Sequence, residues 1–465
     1  MDQRSVLFVI LTVLLLLSTG MVVLPVQGNV FHGLHEDGGV ADWTVLYYVC
    51  GDDPGIDPYV DPLLENLLRF GSSDSFHLLA LVDRLGENNS VLSYVTKDHT
   101  IEVLNEELDF PIEVDMSAAE TLESFYVRCT SVFPSRHVAL ITYADGGTGW
   151  QKYVLNDEDG TGFLSIPSFA DCLQNITSDG TEKIDVLQTS CCMSNIELAY
   201  EFAPFVDYLL STQEHISLEY WVPRFYQYVW DLHNQSSMTP EECGQSAADR
   251  LQPFVFQMHE SYGVDLFELT KILDQLSYPK LHTVMMKSSV CFVNLSVIPE
   301  LVDQLDHLSK MLTLYLSDND ELIYSSMKHA REHTREYGKA NPTLLVTPDL
   351  YYRLPIELFS YHCRIDLVDF IRQFKDILTS YQEYSDLESA CTKVLTLVDQ
   401  SIVAMNKVKD DPSFGMNIYF PKHVIQYNKD IKNGVKNYPI EFPYETLLFT
   451  KETSWDEFLL TYLSM

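Results

Sequence analysis

Five short runs constrain the first half of the chain: Trp43 to Val49 (WTVLYYV), His77 to Val82 (HLLALV), Val138 to Ala144 (VALITYA), Ile184 to Leu187 and Val206 to Leu210. Each is almost continuous in aromatic, β-branched or leucine residues, so each reads as a strand buried on both faces. Between them, Val60 to Phe70, Ala118 to Val132, Ile166 to Ile176 and Asn195 to Phe202 carry apolar residues at helical spacing. Strand alternating with helix at this pitch predicts an α/β fold, a mainly parallel sheet covered by helices on both sides. Such a sheet presents its chemistry where the strands end and the loops diverge. The strand-end residues are Asp52, Asp83, Asp145 to Trp150, Thr189 to Met193 and Ser211 to His215.

From about Met238 the pattern turns helical: Cys243 to Phe256, Asp265 to Leu276, Pro299 to Leu316, Ile365 to Leu378 and Ala390 to Lys407. Phe414 to Pro421 (FGMNIYFP) interrupts it with a strand signal, and this strand is expected to return to the edge of the first sheet. The chain thus divides into an α/β core over 40–225 and a largely helical region over 226–465 with a strand at 415–421.

Met1 to Arg4 is short and polar, and the apolar run Val6 to Leu24 follows. That pattern reads as an export signal over 1–28, with Val26 and Gly28 as small residues before a cut ahead of Asn29. Retention as an N-terminal membrane anchor is the alternative, because the run is nearly long enough to span. Either way the rest of the chain is expected to be extracellular or at the cell surface, and to meet a membrane only through that segment.

Thirty basic residues against sixty-seven acidic ones give a formal charge of −37, which opposes binding to nucleic acid or anionic lipid. Nine cysteines lie scattered without metal-ligand spacing, so no metal site is read from them, and an odd count leaves at least one thiol unpaired. The acidic turn Asp157-Glu158-Asp159-Gly160 lacks the full calcium-loop pattern and reads as a solvated turn.

Five segments, in order, resemble the clostripain family of cysteine peptidases. They are the opening strand with Cys50-Gly51-Asp52-Asp53; Asp145-Gly146-Gly147-Thr148-Gly149-Trp150; Cys191-Cys192-Met193-Ser194 with Glu197 and Glu201; Gly415 to Pro421; and Trp455 to Leu459. The resemblance implies a caspase-like α/β/α sandwich and an endopeptidase that cuts peptide or protein after basic residues. Calcium enters as a cofactor only through the same resemblance.

By this resemblance Cys191 stands at the nucleophile position and Gly146 at the position of the missing catalytic histidine. Thr189 replaces the aspartate that would hold a cationic substrate side chain, and Gly147, Gly149 and Ser211 fall on the substrate-binding segments. His137 begins the same strand, about 23 Å from the end that matters, and cannot stand in for the base. His215 is a candidate relocated base, or an ordinary loop histidine. Cys191 itself is open to three readings: a nucleophile, an inert buried thiol, or half of a vicinal disulfide with Cys192. The expectation is a secreted or tethered pseudopeptidase that binds peptides; the alternative is an active extracellular endopeptidase using Cys191 with His215.

Overall fold

The computed structural model describes residues 40–144, 149–150, 153–157, 162–189, 193–214, 227–250, 255–258, 284–287, 289–337, 363–407, 411, 413–424, 427–428 and 444–465. The segment 1–28 and the helix expected at Asp265 to Leu276 lie outside them.

The predicted strands form as β1 (Ala41–Gly51), β2 (Phe76–Arg84), β5 (Ser135–Tyr143), β8 (Ile184–Gln188) and β9 (Val206–Thr212), with β3 (Val91–Val95) and β4 (Ile101–Val103) after β2. They belong to a nine-stranded sheet of order β15-β12-β9-β8-β5-β1-β2-β3-β4, in which β12 is Ser289–Asn294 and β15 is Ile402–Lys407. The central strands from β9 to β2 pair in parallel, and both edges are antiparallel. Continuous apolar runs are needed because both faces are covered. Trp43, Val45, Tyr47 and Val49 point to one side, against α1 (Asp57–Leu67), α5 (Gln227–Asn234) and α6 (Pro240–Arg250). Leu46, Tyr48 and Cys50 point to the other, against α2 (Ala119–Val132), α3 (Ile166–Ile176), α4 (Ile196–Phe202) and α7 (Ile298–Ser317). The arrangement is the expected α/β/α sandwich.

The C-terminal region does return strands to the sheet, but different ones from the one expected. β12 pairs with the free edge of β9, and β15 with β12. Ile402–Lys407, expected as the end of a helix, is β15: helix α10 (Ser385–Ser401) stops where two β-branched residues meet an open ladder. The segment expected to return, β16 (Asn417–Tyr419), pairs instead with β14 (Arg364–Asp366), which also pairs with β13 (Glu336–Tyr337). Its way to the main sheet is closed because β12 has taken the edge of β9. Val255–Met258 (β10) and Val284–Lys287 (β11) form a separate antiparallel pair.

Helix α6 approaches β12 closely because residue 244 is glycine; a β-carbon there would overlap the Phe292 ring. Helices α8 (Glu321–His333), α9 (Leu367–Leu378), α11 (Leu448–Glu452) and α12 (Trp455–Ser464) complete the C-terminal layer. Among the described residues no helix is long and apolar enough to cross a membrane. The seven described cysteines are buried and free, so no disulfide joins them.

Candidate functional site

Parallel pairing aligns the carboxyl ends of β5, β8 and β9, with Ile141 opposite Gln188 and Gln188 opposite Leu210. Beyond β8 the chain is pinned twice to β9. The Thr189 N–H donates to the Leu210 carbonyl (3.2 Å), and the Ser194 N–H donates to the Thr212 carbonyl (3.0 Å). These two bonds bracket the segment that carries position 191. Asn195 then starts α4, its side chain accepting from the Leu198 N–H (3.1 Å). Cys191, Cys192, Gly146, Gly147 and His215 lie outside the described residues.

Gly149 adopts φ +70°, a conformation that suits glycine. A β-carbon at this position would lie 3.0 Å from Arg364 Cδ and 3.2 Å from Asn195 Nδ2, so the loop after β5 rests directly on the segment after β8. Trp150 is buried, with its ring 5.1 Å from Tyr419 and 4.7 Å from Tyr444. The late FGMNIYFP segment closes the same corner: the Asn417 N–H donates to the Ser194 carbonyl (2.9 Å) and the Ser194 hydroxyl to the Gly415 carbonyl (2.5 Å). Three motifs that are far apart in sequence thus meet at one end of the sheet.

A buried polar network fixes the junction. Gln213 Nε2 donates to Asp366 Oδ2 (2.9 Å) and Asn417 Oδ1 (2.8 Å), and its Oε1 accepts from the Gly415 N–H (2.7 Å). Sequence reasoning missed Gln213, Asp366 and Asn417 as a unit. Two of them sit inside motifs already singled out, while nothing local marks Asp366.

Two expected substrate-binding residues, Thr189 and Ser211, are fully buried at adjacent strand ends. Among the described residues, Thr189 Oγ1, Ser211 Oγ and Gln188 Nε2 have no hydrogen-bond partner. Gln188 turns to the α5 face, where its Oε1 accepts from the Tyr228 hydroxyl. His137 sits at the opposite end of β5, its Nδ1 2.7 Å from Asp185 Oδ1, which agrees with its exclusion as a base.

Glu197 on α4 is buried, and its Oε1 accepts from the Tyr419 N–H (2.8 Å) and the Tyr444 hydroxyl (3.1 Å). Burial outweighs those bonds and pushes its carboxyl from 4.5 up to about 7. A carboxyl raised in the folded state holds a proton that the unfolded chain releases, so its stabilising contribution is complete below about 4.5 and is lost as pH rises through about 7. Urea unfolding is therefore expected to need more denaturant at pH 5.5 than at pH 8, with Glu197→Gln removing on the order of 2 kcal/mol of that difference. An unchanged pH dependence in Glu197→Gln would refute the assignment.

Calcium, which the resemblance implies, needs several hard oxygen donors. The described residues offer one such set: a carboxylate oxygen from each of Asp52, Asp83 and Asp157 lies within 4.8 Å of the others. Asp157, read above as part of a solvated turn, is instead buried, because its carboxylate accepts from the Met116 N–H (2.6 Å). Burial, with Asp157, Glu113 and Asp52 nearby, pushes the Asp83 carboxyl up to about 8.

A family model described as the clostripain family matches residues 47–462. Among solved structures, a secreted C11 cysteine protease from Bacteroides thetaiotaomicron, in complex with an irreversible peptide inhibitor, is similar in fold at 13% identity, TM-score 0.51, covering 90% of this chain and 100% of that one. An inactive zymogen C11 protease from Parabacteroides distasonis is similar at 15% identity, TM-score 0.50, covering 89% and 98%. No curated protein matches the sequence. With the family model spanning nearly all of the sheet and the late segments packed against its carboxyl end, this chain belongs to the clostripain family.

Proposed function

We propose that this protein is an exported clostripain-type peptidase homologue whose cleft holds peptides without the family's usual general base. The observation that carries the reading is Thr189: its hydroxyl is buried at the end of β8 and has no partner among the described residues, where the resemblance calls for a carboxylate. A cationic substrate side chain would meet no countercharge from this residue, whereas a neutral side chain with a carbonyl and a donor would satisfy Thr189 Oγ1 and Ser211 Oγ. With glycine at position 146, the thiol at 191 also lacks the imidazole that would keep it ionised near neutral pH. Export rests on the N-terminal apolar run and on the description of the similar Bacteroides thetaiotaomicron protease as secreted.

A second reading is an active endopeptidase with His215 as base. Glu214, its neighbour, is buried at the carboxyl end of β9, beside the strand that leads to Cys191. A peptide with a neutral hydrogen-bonding side chain and a thiol-directed warhead separates the two. The expected result is saturable reversible binding with labelling of Cys191 at least ~10² slower than that of Gly146→His. Rapid labelling of the natural chain, lost in both Cys191→Ala and His215→Ala, would establish the second reading instead.

A further inference from the structure

Helix α8 buries Ile323, Met327, Ala330 and Arg331 and leaves Lys328, His329, Glu332 and His333 exposed. Its inner side is held by the Arg331 guanidinium, whose Nε donates to the Phe420 carbonyl (2.6 Å). On the outer side His329 and His333 stand four residues apart, so one helical turn sets one imidazole over the other. Their ring centroids are 4.1 Å apart, with the planes 29° from parallel. Among the described residues no other two histidines share a helix at this spacing.

A hydrogen bond fixes which nitrogen is available. His333 Nδ1 lies 2.8 Å from the His329 carbonyl oxygen, and a carbonyl only accepts, so Nδ1 carries a proton. In the neutral ring the lone pair is then on Nε2. An imidazole whose other nitrogen donates to a carbonyl is the arrangement in which histidine ligates a metal, because that bond holds both tautomer and ring orientation. The surroundings also favour a cation. His333 is the last residue of α8, where the helix dipole is negative, and the chain as a whole carries a formal charge of −37. Of the exposed neighbours, Glu332 adds a negative charge and Lys328 a positive one, which offset each other.

We propose that His329 and His333 form a two-histidine site for a divalent transition metal such as nickel or zinc. Two nitrogens at about 2.0 to 2.1 Å from a tetrahedral ion lie roughly 3.3 Å apart, a span within reach of rings already stacked one over the other. Imidazole suits these ions, whereas calcium and magnesium take oxygen donors, so the site differs in chemistry from the Asp52, Asp83 and Asp157 set. The remaining coordination positions face solvent and take water or a donor from another molecule. By bridging one turn the ion clamps the end of α8, from which the chain runs directly into β13. The inference does not depend on whether the cleft cuts peptides.

The test uses the full chain without a purification tag, stripped with a chelator and titrated by calorimetry with nickel and with zinc, and with calcium as a control. Nickel and zinc are each expected to bind, and His329→Ala and His333→Ala each to weaken that binding at least tenfold, because the second imidazole no longer acts at high effective concentration. Both positions are exposed and alanine is the best helix former, so the two variants keep the fold. Cys191→Ala is expected to leave the titration unchanged, which separates this site from a thiol. The proposal is wrong if the natural chain binds neither nickel nor zinc, if both histidine variants keep its affinity, or if an equal concentration of calcium displaces the ion. Loss of binding in Cys191→Ala with the histidine variants unaffected would place the ion at the thiol and overturn it as well.

Discussion

Placing histidine at position 146 is expected to raise peptide hydrolysis by roughly 10² to 10⁴ over the natural chain, the range that a positioned general base contributes. A free thiol with a pKa near ~8.5 is mostly protonated at neutral pH, and an imidazole within hydrogen-bond reach supplies the missing thiolate and later the proton for the leaving amine. The packing around the position supports the repair. Gly149, three residues beyond 146, rests on Asn195, four residues beyond 191, and both ends of the 189–194 segment are held to β9. The gain should be seen first with neutral hydrogen-bonding side chains at the cleaved position, because Thr189 offers a hydroxyl. Adding Thr189→Asp should move the preference towards lysine and arginine. The measurement is hydrolysis of a fluorogenic peptide set, with the Gly146→His, Cys191→Ala double variant as background. A folded Gly146→His protein no faster than the natural chain would mean that more than the base is missing.

Trp150→Ala is expected to destabilise the protein by about 3 to 5 kcal/mol, the range for deleting a buried large aromatic. The indole is 1% exposed and lies between Tyr419 and Tyr444, so truncation opens a cavity where the loop after β5 meets the FGMNIYFP segment. Its Nε1 is buried without a partner among the described residues, so the ring contributes through packing. Trp150→Phe should therefore cost much less, under about 1.5 kcal/mol, since it keeps an aromatic ring and removes an unsatisfied N–H. Urea unfolding of both variants checks the pair of values. Equal losses in the two would show that the indole nitrogen has a partner after all, and a loss below about 1 kcal/mol in Trp150→Ala would show that the corner is not packed as described.

Much of the architecture was legible because burial on both faces leaves a strong local mark. WTVLYYV, HLLALV and VALITYA had to be central strands, and Ile166 to Ile176 emerged as a helix with the expected ends. The edges were not legible. Ile402–Lys407 carries apolar residues compatible with a helix, and only the open side of β12 makes it a strand. Ser289–Asn294 carries a short apolar run (VCFV), but nothing in that run says that it extends the sheet beyond β9.

The sequence by itself determined the central parallel sheet, the strand ends that matter and the chemical identity of positions 146, 189 and 191, because periodicity and residue type are local properties. Tertiary structure alone decided which distant groups became neighbours: Gly149 against Asn195, Gln213 with Asp366 and Asn417, and Asp52 with Asp83 and Asp157. No local pattern encodes those meetings. They follow from parallel strands sending their carboxyl ends to one side, where residues far apart in the chain share a single buried space and must satisfy one another's charge and hydrogen bonds.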